Sequence, residues 1–238
     1  MNLKVVGLIF FGILPIVVLT IFSGPIGQDQ LYHQFADQNQ YFGIPNFWNV
    51  ISNIPFLLVF GYGLWEFKRS SQSLSWIVFL IGIALVGPGS AYYHWDPRDA
   101  SLVWDRLPMT IGFMGLTSFI LTQVFQLRWE KQLVLILLLL GVYSILHWIN
   151  YDDLRIYAWV QFAPIVLVIY CAIFFPSPIL KPGLLMGAVG FYSLAKIVEH
   201  SDKEIFQITE VMSGHALKHP LAAVAVLFLI QTNRLEKL

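Results

Sequence analysis

The chain alternates between long apolar segments and short polar connections. Eight of the segments approach or exceed the length of about 20 mostly apolar residues that a helix needs to cross a bilayer. They cover residues 5–22, 47–65, 74–94, 105–127, 132–149, 155–175, 183–200 and 213–231. Because the connections are short, neighbouring helices are expected to run antiparallel in one bundle. The pattern predicts an all-α, polytopic membrane protein.

The composition supports this interpretation and limits the kinds of partner that the protein is expected to bind. Hydrophobic residues make up 57% of the chain, aromatic residues 16% and charged residues only 12%, and the mean hydropathy is +0.69, unlike a soluble domain. The formal net charge is zero, so no basic field indicates a nucleic-acid partner. Cys171 is the single cysteine, which excludes an intrachain disulfide and a thiolate metal site. The bilayer is the expected partner.

The basic residues predict how the bundle is oriented. With a cytoplasmic N-terminus, most lysines and arginines of the connections fall on the cytoplasmic side, as the positive-inside rule requires. They are Lys4, Lys68, Arg69, Arg128, Lys131, Lys181, Arg234 and Lys237. All six histidines then map to the outer half. We therefore expect both termini in the cytoplasm and the chemistry near the outer face.

The first apolar segment, 5–22, is either an uncleaved helix or a signal peptide. Its length, Pro15 and the poor cleavage pattern favour the helix. We divide the chain into an N-terminal transmembrane helix, residues 1–25, and a seven-helix domain, residues 26–238.

Three histidines form a candidate metal site. His215 and His219 are four residues apart, so both imidazoles project from one helix face. Such a pair also occurs on helix surfaces, but ionisable groups in membrane segments are costly enough to indicate function. His94 ends the third segment, in a hairpin with the fourth. Three imidazoles leave a fourth position for water, as in catalytic zinc sites, with iron or manganese as alternative metals.

Asp105 and Ser90 are the candidate catalytic residues. Asp105 begins the fourth predicted segment and either pairs with Arg106 or acts as a general base on metal-activated water. Ser90 lies four residues before His94 on the same helix face. Its hydroxyl either bonds its own helix backbone or assists at the metal or at an oxyanion.

Other polar positions are interpreted structurally. The sequence Gly87-Pro88-Gly89 predicts a kink or an opened turn. Glu199, Asp202 and Lys203 are interpreted as a solvated loop with local pairing, and His147 and His200 as residues that cap helix ends or face the interface.

Four motifs resemble the alkaline ceramidase family, most closely its bacterial branch, within a wider group of seven-helix membrane hydrolases that includes adiponectin-receptor-like proteins. The resemblance covers about residues 32–229. The motifs are Asn46-Phe-Trp-Asn-Val-Ile-Ser-Asn53, Gly89-Ser-Ala-Tyr-Tyr-His94, Trp104-Asp-Arg-Leu-Pro108 and Ser213-Gly-His-Ala-Leu-Lys-His219. Their order and the spacings within them match the family pattern.

The resemblance implies a zinc amidase of a bacterial inner membrane that hydrolyses ceramide-like N-acyl lipids to a sphingoid-type amine and a fatty acid. By matching positions, His94, His215 and His219 bind zinc, Asp105 activates water, and Ser90 assists at the metal or the oxyanion. Calcium is a second metal to consider, although Asn46 stands where eukaryotic relatives carry a calcium-binding glutamate. Asp29, Asp37 and Asn39 remain as candidate oxygen ligands.

Two non-enzymatic functions stay open on the sequence. A haem-binding electron-transfer protein would use histidines on different helices as axial ligands, although the close pair at 215 and 219 argues against it. A receptor or scaffold would keep the metal site only for its structure.

Overall fold

The computed structural model describes residues 17–18, 23–70, 72–175 and 181–233, and this part of the chain is helical with no strand beyond an isolated bridge. A 3₁₀ turn, Gln30–His33, precedes the α-helices. These are α1 (Phe47–Ile51), α2 (Ile54–Glu66), α3 (Leu74–Trp95), α4 (Asp99–Phe125), α5 (Glu130–Tyr151), α6 (Arg155–Phe174), α7 (Pro182–His200), α8 (Asp202–Thr209) and α9 (Gly214–Thr232). A second 3₁₀ turn, Phe67–Arg69, extends α2. The all-α prediction is confirmed.

Six stretches in the described residues are long and apolar enough to cross a membrane. They are Phe47–Arg69, Leu74–Trp95, Asp99–Phe125, Glu130–Tyr151, Arg155–Phe174 and Gly214–Thr232. The chain is therefore a multi-pass membrane protein, as predicted. Helix α7 coincides with the predicted segment 183–200 but is not among the six, so a seventh crossing there stays a prediction. The first predicted segment, 5–22, lies outside the described residues.

Helices α3 and α4 form a tight hairpin held by glycines. A Cβ on Gly115 would lie 2.5 Å from the backbone N of Phe79, and one on Gly82 would overlap the backbone of Gly112. Small residues let backbones approach closely, which is how membrane helices gain packing contacts. This hairpin carries His94 on α3 and Asp105 on α4.

The structure corrects two predicted details of this hairpin. Helix α4 begins at Asp99, so only residues 96–98 connect the helices and Asp105 lies in the second turn of α4. The start is fixed by Ser101, whose Oγ accepts from the backbone N–H of Arg98 and donates to the carbonyl oxygen of Asp96. Of the two alternatives predicted around Pro88, the opened turn is wrong, since α3 is helical throughout, and the kink stays a prediction. Packing against α2 and α4 holds that turn on both sides.

A segment without regular helix, residues 26–46, crosses the ends of the helices, and we call it the strap. The backbone N–H of Gln28 donates to Asp152 Oδ1 at 2.8 Å, and that of Ala36 donates to Asp202 Oδ2 at 2.8 Å. The backbone N–H of Ile26 donates to Asp153 Oδ1 at 3.3 Å. Hydrogen bonds from Arg155 hold the pKa of Asp153 well below its usual range, so this carboxylate stays charged and anchors the strap.

Replacing Gly115 with alanine tests the α3–α4 contact. Because the new methyl group would meet the Phe79 backbone, we expect the Gly115→Ala variant to lose about 1–3 kcal/mol of stability. In Gly190→Ala, the matched control, the methyl group would meet no atom within 4 Å, and stability should hold or rise by up to about 1 kcal/mol. Thermal unfolding in one detergent measures both, and equal midpoints would contradict the close approach.

Candidate metal centre

Three buried imidazoles converge where the end of α3 meets the start of α9. His94, His215 and His219 each offer a ring nitrogen, and these nitrogens all lie within 4.8 Å of one another. The Nε2 atoms of His94 and His219 are only 3.2 Å apart. The three residues are between 1% and 4% exposed. The structure therefore brings the three predicted ligands together at one point.

The local sequence explains why His215 and His219 face this point. The Ser213 side chain accepts a hydrogen bond from the N–H of Ala216 and so caps α9. The backbone N–H of His215 donates to Asp202 Oδ1 at 2.7 Å. A Cβ on Gly214 would overlap the carbonyl oxygen of Val198, so only glycine lets α9 start this close to α7.

The ring nitrogens fit a bound cation. His94 Nδ1 and His215 Nε2 are buried without a hydrogen-bond partner among the described residues. Unpartnered buried polar atoms are costly. A cation that accepts lone pairs from imidazole removes that cost at His215 and relieves the close approach of His94 to His219. A donor set of three neutral imidazoles suits zinc, and these residues therefore fit it.

Ser52 orients one of the imidazoles. Its Oγ lies 2.7 Å from His219 Nδ1 and 3.2 Å from the carbonyl oxygen of Asn49. Since the carbonyl can only accept, a hydroxyl that donates to Asn49 accepts from the Nδ1–H of His219, and this tautomer leaves Nε2 free for a metal. Sequence reasoning missed this role, although Ser52 stands inside the first family-like motif.

Asp105 and Ser90 line the same cavity as His219. Both are buried, at 8% and 2% exposure. Asp105 forms no hydrogen bond or ion pair with any residue in the described ranges, and its neighbour Arg106 turns elsewhere. The Nη2 of Arg106 donates to Gln28 Oε1 at 2.6 Å, and the guanidinium lies 4.3 Å from the ring centroid of Trp148. The structure thus contains no Asp105–Arg106 pair, which was the alternative to a general-base role for this carboxylate.

The cavity has a volume of about 420 Å³ and two unlike ends. One end is apolar, since Phe79 lines the cavity about three helical turns from Ser90 on α3 and Leu116 about three turns from Asp105 on α4. The other contains Ser90, Asp105 and His219. A cavity of this kind suits a ligand with a hydrocarbon chain and a polar group beside the candidate metal centre.

The predicted calcium ligands fit less well than the histidines. Asp29 accepts from the N–H of Leu31 and caps the first 3₁₀ turn, while the side chain of Asn46 donates to the carbonyl oxygen of His94 at 2.8 Å. Asp37 is buried, which raises its pKa, and its Oδ2 has no partner in the described structure. The Oδ1 atoms of Asn49 and Asn53 are also buried without partners there. Calcium therefore stays a prediction, and among the proposed ligands Asp37 has a buried oxygen without a partner in the described residues.

Glu199 and Asp202 are not in a solvated loop, and that interpretation is wrong. Glu199 lies in α7 between two ammonium groups, 2.8 Å from Lys196 Nζ and 2.6 Å from Lys218 Nζ. Asp202 begins α8 and links the strap to His215. Both are drawn inward because α9 packs back against α7. The sequence did offer one signal for this pairing, because Lys218 stands inside the His215–His219 motif and needs an acidic partner there.

The other histidines do not join the trio. His147 Nε2 lies 3.3 Å from Asp153 Oδ2. His200 is exposed at the end of α7. His33 sits in the strap between the Tyr93 hydroxyl, at 2.9 Å, and Asp99 Oδ1, at 3.0 Å.

Comparison with models of known protein families gives a match. A family model described as Ceramidase matches residues 40–230, about four fifths of the chain. The matched range contains Ser90, Asp105 and the three clustered histidines. A search of curated proteins finds no match.

Removing the Ser52 hydroxyl should weaken metal binding. The Ser52→Ala variant leaves His219 Nδ1 without its partner, and loss of such an orienting group typically lowers metal affinity about 10–100-fold. Competition against a graded series of chelators measures the change. Ser144→Ala is the matched control, because among the described residues the Ser144 hydroxyl bonds only the Gly141 carbonyl within α5. Equal affinity in the two variants would show that Ser52 does not orient the ligand.

Proposed function

Because the chain belongs to the ceramidase family, we propose that it is an integral-membrane, zinc-dependent amidase of ceramide-like N-acyl lipids. Water cleaves the amide, and the products are a sphingoid-type amine and a fatty acid. The observation that carries the proposal is a cluster of three buried imidazoles, one of which lines an apolar cavity together with Ser90 and with Asp105, a carboxylate that has no partner among the described residues. Family membership supports the hydrolase class, and this geometry supports the metal and the residue roles.

His94, His215 and His219 would hold the zinc ion. When bound, zinc supplies Lewis acidity, which lowers the pKa of a water molecule and polarises an amide carbonyl. Ser52 fixes the tautomer of His219 that such binding requires. The backbone hydrogen bond from His215 to Asp202 holds the start of α9 against α8. These contacts leave little freedom in the positions of His215 and His219, as catalysis demands.

Asp105 is the proton-transfer group. Its carboxylate has no hydrogen bond or ion pair within the described ranges, so it is available to take a proton from the attacking water. The oxygen of that water then forms a bond to the acyl carbon, and the carbon–nitrogen bond breaks. The proton held on Asp105 passes to the departing nitrogen, which leaves as an amine. Arg106 does not compete for this carboxylate, because it is bound to Gln28.

Ser90 and the cavity walls complete the site. The Ser90 hydroxyl would donate a hydrogen bond to the oxygen that becomes negatively charged as the amide is attacked. The apolar end of the cavity would take the acyl chain, which places the amide at the polar end.

The proposal includes an arrangement in the membrane. Residues 1–25 would form an additional helix, residues 26–238 would form the ceramidase-like domain of seven crossings, and both termini would lie in the cytoplasm of a bacterial inner membrane. The active site would then face the outer side, where the strap and the clustered histidines lie at the same ends of the helices.

The geometry disfavours the two non-enzymatic functions. Axial ligands of a haem approach from opposite sides of a wide macrocycle, whereas these imidazoles converge on one small volume. A structural metal site needs no neighbouring free carboxylate, and Asp105 has no structural partner among the described residues.

Metal analysis tests the ligand set. Purified protein should contain close to one zinc ion per chain, because three neutral imidazoles converge in a buried site. His215→Ala should lose it, whereas His147→Ala, which alters a histidine outside the trio, should retain it. Elemental mass spectrometry after gel filtration provides the measurement. Equal zinc content in the two variants, or a Soret band in place of zinc, would refute the assignment.

Hydrolysis assays test the role of Asp105. The Asp105→Asn variant should keep its zinc and lose about 10²–10⁴-fold in kcat, because the side-chain amide of the new asparagine cannot take a proton from water. Mass-spectrometric detection of the released fatty acid from a panel of N-acyl lipids measures turnover.

Asp96→Asn is the matched control for this assay, since the Asp96 side chain is half-exposed and pairs with Arg98 alone among the described residues. It should keep wild-type turnover. If neither the wild type nor the control released product from any N-acyl lipid, the scaffold function would replace the enzyme.

A further inference from the structure

A charged cluster forms part of the cavity wall beside the candidate metal centre. Glu199 binds both Lys196 and Lys218, and the Tyr32 hydroxyl donates to Glu199 Oε1 at 3.3 Å. The side chains of Glu199 and Lys218 are 13% and 15% exposed. Removal from water raises the pKa of Tyr32 far above its usual range, so this hydroxyl stays protonated. None of these groups has a part in the proposed proton transfer.

Arg106 and Lys218 both lie close to the Tyr32 ring. The ring centroid is 6.0 Å from Arg106 Cζ and 5.8 Å from Lys218 Nζ. Arg106 is only 7% exposed, and its Nη1 is buried without a hydrogen-bond partner in the described part of the chain. A guanidinium nitrogen can only donate, so Nη1 is available to an acceptor on a bound ligand.

The cavity wall carries more positive than negative charge. Among its described lining residues, Arg106, Lys196 and Lys218 are basic, while Asp105 and Glu199 are acidic. An excess charge beside an apolar cavity within a membrane bundle is expensive unless a counter-ion pairs with it. A metal cation at the histidines would add to the excess.

We propose that the lipid which occupies this cavity carries an anionic group, a carboxylate or a phosphate, on its amine half near the scissile amide. Lys196, Lys218 and Arg106 bind that group. The inference rests on the proposed amide hydrolysis and narrows its substrate class.

The placement of the charges assigns the anion to the amine half. Lys218 directly precedes His219 on α9, and the basic side chains line the same cavity as Ser90 and Asp105. The acyl chain takes the apolar end, so the group beside the cations belongs to the other side of the amide. Lysine and arginine form strong charge-assisted hydrogen bonds to carboxylate and phosphate oxygens.

Two matched pairs of lipids test the proposal. In the first pair, N-palmitoylglycine has a carboxylate where N-palmitoylethanolamine has a hydroxymethyl group. In the second pair, ceramide 1-phosphate carries a phosphate that ceramide lacks. With wild-type protein in neutral detergent micelles, we expect kcat/KM to favour the anionic member of at least one pair by about tenfold or more. The pair that shows the preference tells which anion the site accepts.

Variants of Lys218 connect the preference to the cluster. Lys218→Met should abolish the preference, and it should fold because Glu199 keeps its bond to Lys196. Lys218→Arg should retain the preference, because the charge remains. Lys203→Met is the matched control, since Lys203 is exposed on α8 and does not line the cavity. The control should behave like the wild type.

A binding assay separates this inference from the proposed function. Hexadecyl phosphate should raise the unfolding temperature of wild type more than hexadecanol does, and Lys218→Met should lose that difference. Such a result supports the anion site even if no amide is cleaved, in which case only the proposed hydrolysis fails.

Three outcomes would overturn the inference. They are equal hydrolysis of both members of each pair by the wild type, a preference that survives in Lys218→Met, and inhibition by palmitate that depends on Lys218 without any preference among substrates. In the last case the cations serve the fatty acid product.

Discussion

The cost of burying polar groups within a membrane bundle is the constraint on which the rest of this structure depends. Three imidazoles lie within reach of one ion, and two of their nitrogens are 3.2 Å apart. Such an arrangement is stable only when lone pairs and protons find partners. Ser52 supplies one partner, and a bound cation would supply one for His215 and relieve the close approach of His94 to His219. The strap meets the same requirement, because its N–H groups donate to Asp152 and Asp202 at the helix ends.

Asp202 shows how the strap and the site depend on each other. One carboxylate oxygen accepts from the strap at Ala36, and the other accepts from the backbone N–H of His215. The strap also places Phe35 against the rings of His94 and His215, with centroids 4.9 and 4.6 Å apart. The strap therefore both orders the start of α9 and keeps water from one side of the histidines.

The apolar periodicity was sufficient to predict most helices, because a bilayer leaves only a helical solution for long apolar runs. The pattern failed where polar residues continue a helix. Asp99 and Ser101 looked like a loop, yet they form the first turn of α4, because Ser101 satisfies the backbone atoms there. Glu199 looked like part of a solvated loop, yet α9 brings Lys218 onto it. The apolar pattern along the chain does not show which residues of another helix will contact a given side chain.

The sequence by itself determined the helical class, the ligand types and the spacing that puts His215 and His219 on one helix face. These follow from local chemistry, since four residues make about one helical turn whatever surrounds it. Only the tertiary structure decided that His94 meets that pair, that Asp105 stays free of Arg106, and that Lys218 reaches Glu199. Those contacts depend on how closely α3, α4, α7 and α9 approach, which glycines such as Gly115 and Gly214 permit through contacts far apart in the chain.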